Sequence, residues 1–238
     1  MYQERVYRQE MNARGLFAYT VTIFESDLMI YTDQMLSEEA YRWTTYYRKE
    51  IEQYAQLKPG FIGGLEPQVC LKTASTLIRH MHQASEKAGV GPMATVAGGI
   101  SYYVGKKLLE SCREVMIENG GDIFLKSFTE KKIRIFAGNS PFSNKLSLKL
   151  PPCPEGIGIC TSAGKIGHSL SFGNADAVVI ISEDVLLADA VATATGNRIQ
   201  TKEHIAEGIE FARAIEGVLG VVIIVDDQIG LWGKIELC

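Results

Sequence analysis

Hydrophobic positions change period several times along this chain, and each change predicts an element. Phe17, Tyr19, Val21 and Ile23 alternate through Leu16–Glu25, the period of a strand, and Ser26-Asp27 is expected to turn the chain into a second strand, Leu28–Tyr31. Ser37-Glu38-Glu39 reads as a helix start, and Ala40, Trp43, Tyr47, Ile51 and Tyr54 continue one apolar face to Pro59-Gly60. A second helix is expected after Pro67, with Ala74, Leu77, Ile78, Met81 and Ala88 inward and Gly89 as its stop. His80 and His82 stand two apart on it, so they cannot face a common ligand and are expected on solvated surface.

From Gly91-Pro92-Met93-Ala94 onward the pattern changes again. Pro92 suits a first helical position, and Ala94, Ala97, Gly98, Ser101 and Gly105 form a stripe of small residues at helical spacing. A glycine inside a helix costs about 1 kcal/mol against alanine, so several together imply a close approach by something. Two readings stand: tight packing against a neighbouring element, or a ligand such as a pyrophosphate held near the helix start by Gly91, Pro92, Ala94, Gly98 and Gly99.

Glu114–Glu118 and Ile123–Phe128 read as strands around Asn119-Gly120-Gly121-Asp122, a strong hairpin-turn signal that makes Asp122 a turn residue first and a site residue second. Lys131–Phe136 and Lys145–Leu150 alternate, with loops at Gly138–Asn144 and Pro151–Gly156. A strand, a polar loop and another strand lead to Ser182, which with Glu183 and Asp184 caps a helix stopped by Gly196-Asn197. Thr201 starts a further helix with Ile205, Ile209, Ala212 and Ile215 inward, and Val218–Val225 with Ile229–Leu237 closes the chain as a hairpin around Asp226-Asp227-Gln228. Strands, helices and a closing hairpin therefore occur twice in the same order. The expected fold class is α+β, with antiparallel sheets, helices on one face, and pseudo-repeat halves at 1–128 and 129–238.

Composition excludes several classes. With 238 residues, 46% of them hydrophobic, the chain can bury a full core. A formal charge of −4 gives no electrostatic footprint for nucleic acid or an anionic membrane. The start, MYQERVYRQE, lacks a signal-peptide core, and no apolar run approaches membrane-span length. Five cysteines without a CxxC pair read as reduced thiols, so a cytoplasmic location is expected.

Candidate chemistry gathers between Gly156 and Asn197. Ala188–Ala194 is a helix of alanine and valine carrying one carboxylate, Asp189, with the Thr193 hydroxyl on the same face four residues on. A lone acid in such surroundings needs a cation, a ligand donor or backbone N–H groups. Asp189 could equally cap a neighbouring turn, and Thr193 could bond an earlier carbonyl of its own helix. The loop before it offers Thr161, Ser162 and Gly164, then His168. Beside Ser162 and Ser169 this histidine invites a hydrolase reading, but there is no G-x-S-x-G elbow and no evident orienting acid. A ligand-contacting or substrate-orienting role suits His168 better, followed by a structural one.

Four segments in order resemble the ApbE family, the FAD:protein FMN transferases, and more closely a branch of ApbE-like proteins with a GPMA-type loop. Gly98-Gly99-Ile100 resembles the family's GGxAKG segment, and Asn119–Ile123 its NxGGDI hairpin. Thr161-Ser162-Ala163-Gly164 with His168 resembles its TSG…H loop, and Ala188–Ala194 its ADAxATA helix. The resemblance runs from about Gly91 to the C-terminus. It implies a tandem, T-fold-like α+β architecture and FAD or a related nucleotide as ligand. It also implies magnesium held by Asp189 and Thr193, with His168 and Asp189 as the catalytic residues. Gly91, Pro92, Ala94, Gly98, Gly99, Gly120, Gly121, Asp122, Thr161, Ser162 and Gly164 would line the cofactor site.

The chain also departs from the family. The family lysine after the Gly-Gly segment falls near Tyr102, with neither Lys106 nor Lys107 at its spacing, and His168 runs into Ser169-Leu170-Ser171-Phe172-Gly173 rather than HIIDPxTG. The expected function is a Mg-dependent transferase or hydrolase acting on a flavin or another nucleotide-like pyrophosphate. The alternative is a non-catalytic nucleotide- or flavin-binding protein that has lost FMN transfer. The expected partner is a small molecule, with no nucleic acid and no membrane, and homo-oligomers are common among T-fold-like sheets.

Overall fold

The first alternating segment forms an antiparallel hairpin of β1 (Phe17–Ile23) and β2 (Ser26–Thr32), in register from Phe17↔Thr32 to Ile23↔Ser26. This computed structural model describes residues 15–164 and 172–238. The turn is Phe24-Glu25 rather than Ser26-Asp27, with Phe24 at a φ of 52°. Ser26 and Asp27 are buried instead, where Arg48 donates to Ser26 Oγ and the Thr22 hydroxyl donates to Asp27.

Helix α1 (Ser37–Leu57) buries Ala40, Thr44, Tyr47, Ile51 and Tyr54 along one stripe. The second helix, α2 (Thr76–Ala88), begins well after Pro67. Its cap is Ser75, whose hydroxyl accepts from the Ile78 amide, and Gly89 ends it at a φ of 72°. A 3-10 turn over Pro92–Thr95 leads into α3 (Val96–Leu108). Strands β3 (Val115–Asn119) and β4 (Asp122–Ser127) then pair across the two-residue turn Gly120-Gly121, whose φ values of 69° and 104° only glycine adopts readily.

The second part of the chain carries the remaining strands and two more α-helices. After β5 (Lys131–Arg134) and β6 (Ser147–Leu150) come β7 (Cys153–Ser162), β8 (Ala177–Ser182), α4 (Val185–Gly196) and α5 (Ile205–Arg213). Strands β9 (Val218–Val225), β10 (Gln228–Gly233) and β11 (Glu236–Leu237) complete it. The single closing strand expected at Ile229–Leu237 is thus two, because the chain bends at Gly233, with a φ of 97°, and β11 leaves for another sheet.

Among the described residues the main sheet has eight strands in the order β1-β2-β3-β4-β7-β8-β9-β10, every neighbouring pair antiparallel. Its two faces are covered differently. Leu28, Ile30, Ile117, Phe124, Cys160, Val178, Ile180, Val221 and Ile223 pack against the helices. The alternate residues Met116, Ile123, Leu125, Ile159, Val179, Ile181, Val222 and Ile224 pack against the small sheet β11-β6-β5, through Ile133, Leu148 and Leu150. The fold is α+β, with the helices on one face as expected. No described helix is long and apolar enough to cross a membrane.

Helix α4 lies innermost. It is buried on nearly every side, touching β7 and β8 below and α2, α3 and α5 around it. Its alanines allow that crowding, as expected for a helix apolar all round. Asp184 caps it, accepting from the Leu186 and Leu187 amides.

Candidate functional site

The glycine stripe of α3 packs tightly. A Cβ on Gly105 would lie 2.4 Å from the Phe124 ring, and one on Gly99 would lie 3.3 Å from Leu77. At Gly91 it would fall 1.8 Å from the Gly64 carbonyl oxygen. Gly91 and Pro92 are buried against the loop around Gly64, and Ala94 is half-buried. For these positions the packing reading accounts for the small residues.

Gly98 differs in what it meets. Its amide donates to Oδ2 of Asp189 at 2.8 Å, and a Cβ there would lie 3.0 Å from Asp189 Cβ and 3.1 Å from the Val185 carbonyl oxygen. The first turn of α3, where helix amides lack intrahelical acceptors, is thus seated on the single acid of α4. Asp189 is 7% exposed. Burial pushes its carboxyl up to about 7, against the opposing pull of the Gly98 N–H.

The hairpin turn joins the same cluster. Asp122 opens β4 and is buried, with Oδ1 accepting from the Thr161 amide at 3.3 Å. Its backbone carbonyl accepts from the Ser101 hydroxyl of α3 at 3.1 Å, while Asn119 donates to the Ala97 carbonyl at 3.2 Å. Gly121 donates its amide to Glu118, and Gly120 is exposed at the tip. Burial holds the Asp122 carboxyl well above its ordinary range, and the negative charge of Asp189 raises it further. The Cys160 thiol sits beside Asp122, and burial with these two carboxyls pushes it up as well.

Thr161 and Ser162 end β7, half-buried. A Cβ on Gly196, at the end of α4, would lie 3.1 Å from Ser162 Oγ. Gly164 packs on Gly173, and Thr193 is half-buried on the Asp189 face of α4. Gly98 bonds to Asp189 and Thr161 bonds to Asp122, and the Ser101 and Asn119 bonds tie the hairpin of Asp122 to the helix that carries Gly98. His168 lies outside the described residues.

The two residues expected to hold magnesium offer oxygen, the carboxylate of Asp189 and the hydroxyl of Thr193 one helical turn on. Among the described residues no group of three or more His, Cys, Asp or Glu side chains could hold a metal. That oxygen pair fits a hard cation that keeps waters and borrows ligand phosphates, and does not fit a site closed by protein side chains.

Two features escape a reading of the sequence. His82 is not solvated surface. It is 5% exposed, bonded to the Tyr54 hydroxyl at 3.1 Å and the Gln68 carbonyl at 2.9 Å, because the loop 58–75 folds over that side of α2. His80 points elsewhere, to Asp184 at 3.0 Å and the Tyr103 hydroxyl at 3.3 Å, tying α2 and α3 to the cap of α4. The spacing of two does keep them on different partners. Tyr102, at the position expected for a family lysine, is half-buried and packs edge-on against Phe124 and His80.

Known proteins share this architecture. A family described as AbpE bacteria matches residues 8–228. A UPF0280 protein of Methanocella arvoryzae is 40% identical over 189 residues, covering 79% of this chain and 77% of its own. Another from Methanosarcina acetivorans is 39% identical over 191 residues, covering 79% and 75%. A mutant form of the flavin transferase ApbE from Vibrio cholerae aligns with a TM-score of 0.58 at 11% identity, over 92% of this chain and 97% of that one. The apo form of the Pseudomonas stutzeri flavinyl transferase ApbE aligns at 0.55 and 13% identity, over 91% and 93%. At these identities the structural likeness is one of fold.

Proposed function

The chain belongs to the AbpE bacteria family, and from that premise we propose a magnesium-dependent enzyme acting on a flavin or another nucleotide-like pyrophosphate, as a transferase or hydrolase. The observation that carries this reading is the buried acid Asp189, set against the Gly98 amide at the start of α3 with Asp122 close by. Two carboxyls buried near each other repel, and a divalent cation relieves that repulsion while lowering both toward the ionised form.

Asp189 and Thr193 would hold the magnesium, which when bound neutralises pyrophosphate charge for attack at phosphorus. The Gly98 amide fixes the Asp189 carboxylate in orientation. Asn119 and Ser101 tie the glycine hairpin to α3, so its backbone keeps its place beside the end of β7. The fold likeness to proteins named flavin transferases makes FAD the first ligand to try. Tandem T-fold-like halves and a cytoplasmic location belong to the same reading.

A second reading, binding without transfer, is favoured by Tyr102, whose ring is packed into an aromatic cluster where the family resemblance expects a lysine. One assay separates the two. Wild type and Asp189→Asn are incubated with FAD, with and without magnesium, and release of AMP is followed alongside binding, with FMN leaving to water in the hydrolase reading and to an added acceptor in the transferase reading. Magnesium-dependent cleavage lost in the variant supports the enzyme, and magnesium-dependent binding without turnover supports the binder. No magnesium-dependent binding of FAD or an adenine nucleotide removes both.

A further inference from the structure

The two edges of the eight-stranded sheet are finished differently. At one edge, β10 contains Gly230 and Gly233, bends at the latter and hands the chain to the small sheet, while Ile205 and Ile209 of α5 cover Gly230. At the other edge lies β1, Phe-Ala-Tyr-Thr-Val-Thr-Ile, seven residues without a charge, a proline or a glycine. Among the described residues no strand pairs with its outer side. Soluble proteins blunt such edges with lysine, proline or a bulge, because unpaired backbone groups on a flat β-branched strand recruit another strand. None of these devices is present in β1.

We propose that the outer edge of β1 pairs with β1 of a second copy of this chain, antiparallel about a twofold axis normal to the sheet. Such an axis keeps both sets of helices on the same face, so paired residues must share a strand face. Only the register centred on Thr20 keeps all seven residues paired. It sets Phe17 opposite Ile23 and Tyr19 opposite Val21 on the helix side, and Ala18 opposite Thr22 with Thr20 opposite Thr20 on the other. Val21 already belongs to the helix-side core and the half-buried Tyr19 and Ile23 pack against it, whereas Phe17 is 49% exposed in the single chain. Aromatic and β-branched cross-strand pairs of this kind are the favourable ones, and no like charges meet. Beside the edge, Thr20, Val21, Thr22, Ser37, Glu38 and Tyr41 line an open cleft of ≈ 330 Å³, which leaves room for the partner strand to approach next to α1. The proposal does not depend on the assignment of function.

The test is the molar mass in solution, by light scattering after size exclusion over a wide concentration range. Wild type is expected at twice the 26.2 kDa chain mass. Thr20 is exposed in the single chain, so Thr20→Lys should fold normally by circular dichroism. It would place two ammonium groups opposite each other at the axis, and the mass should fall to half. Thr20→Val should keep the wild-type mass. A wild type that stays monomeric throughout would overturn the proposal, the edge then being covered from within the chain or not at all. A Thr20→Lys protein that remains dimeric would overturn it too, because the interface would lie elsewhere.

Discussion

Gly98 and Asp189 stand 91 residues apart, yet the amide of the first donates to the carboxylate of the second at 2.8 Å inside the protein. Burial raises that carboxyl from 3.8 to about 7, so between these values the folded protein keeps a proton that the unfolded chain has released. The contribution of Asp189 to stability is therefore fully present below about pH 4 and is lost as pH rises through about 7. In chelator-treated protein, Asp189→Asn should flatten the melting-temperature profile across this window and be no less stable than wild type at pH 7. Asparagine still accepts from Gly98 without a buried charge. Thermal melts across pH check this, and an unchanged profile would remove Asp189 as the source of the slope.

His82 works in the opposite direction. Burial holds its imidazole below the ordinary 6.5. The unfolded chain then takes up the proton first, so this stabilisation is present above pH 6.5 and is lost as pH falls through the folded value. His82→Leu should cost about 1–3 kcal/mol at neutral pH, since the Tyr54 hydroxyl and Gln68 carbonyl lose a partner. It should also reduce the loss of stability on acidification. Chemical denaturation at pH 7 and pH 5 measures both effects.

Two glycine substitutions on α3 separate packing from site geometry. Gly105→Ala drives a Cβ to 2.4 Å from the buried Phe124 ring and should destabilise by about 1–3 kcal/mol while the folded fraction still binds ligand. Gly98→Ala meets Asp189 at a milder 3.0 Å, and the gain in helix propensity of about 1 kcal/mol offsets part of that strain. Its expected signature is a small change in melting temperature with a large loss of magnesium-dependent nucleotide binding. Equal losses of binding in the two variants would contradict the distinction.

Asp184 serves two neighbours through one oxygen, capping α4 and accepting from His80. Burial alone would raise its carboxyl, but His80 and the Leu186 and Leu187 amides outweigh it and hold the carboxyl below its ordinary value. Its contribution is therefore present above about pH 4 and lost as pH falls through the lowered value. Asp184→Ala should cost at least the roughly 1 kcal/mol of an N-cap. Combined with His80→Ala, the loss should be smaller than the sum of the two, and a double-mutant cycle of unfolding free energies reads the coupling.

Local chemistry was the legible part of this fold. Strict alternation in Phe17–Ile23, the Gly120-Gly121 turn and the Gly89 stop act within a few residues, so each shows in the sequence, whereas of Ser182, Glu183 and Asp184 only Asp184 caps α4 and Ser182 ends β8. What depends on distant partners did not show. His82 looked like a surface residue because its cover comes from Tyr54 and from a loop with no regular period. The departure of β11 to the small sheet follows from one bend at Gly233. In the candidate site, Asp189 stands out as the single acid of a helix of small residues, with the Thr193 hydroxyl four residues on. The closeness of Asp122 and Cys160 to Asp189 needs the sheet that sets β4 beside β7.

Magnesium titrations followed by thermal shift, with FAD present, test the assignment of Asp189 most directly. A ligand and its metal raise the melting temperature only where they bind the folded state. Wild type should show a magnesium-dependent rise that grows with pH up to about 7, as Asp189 gives up its proton. Thr193→Val should show a smaller rise, having lost a neutral donor, and Asp189→Asn none. An equal rise in wild type and Asp189→Asn, or no magnesium-dependent rise in wild type with FAD or any adenine nucleotide, would contradict the account.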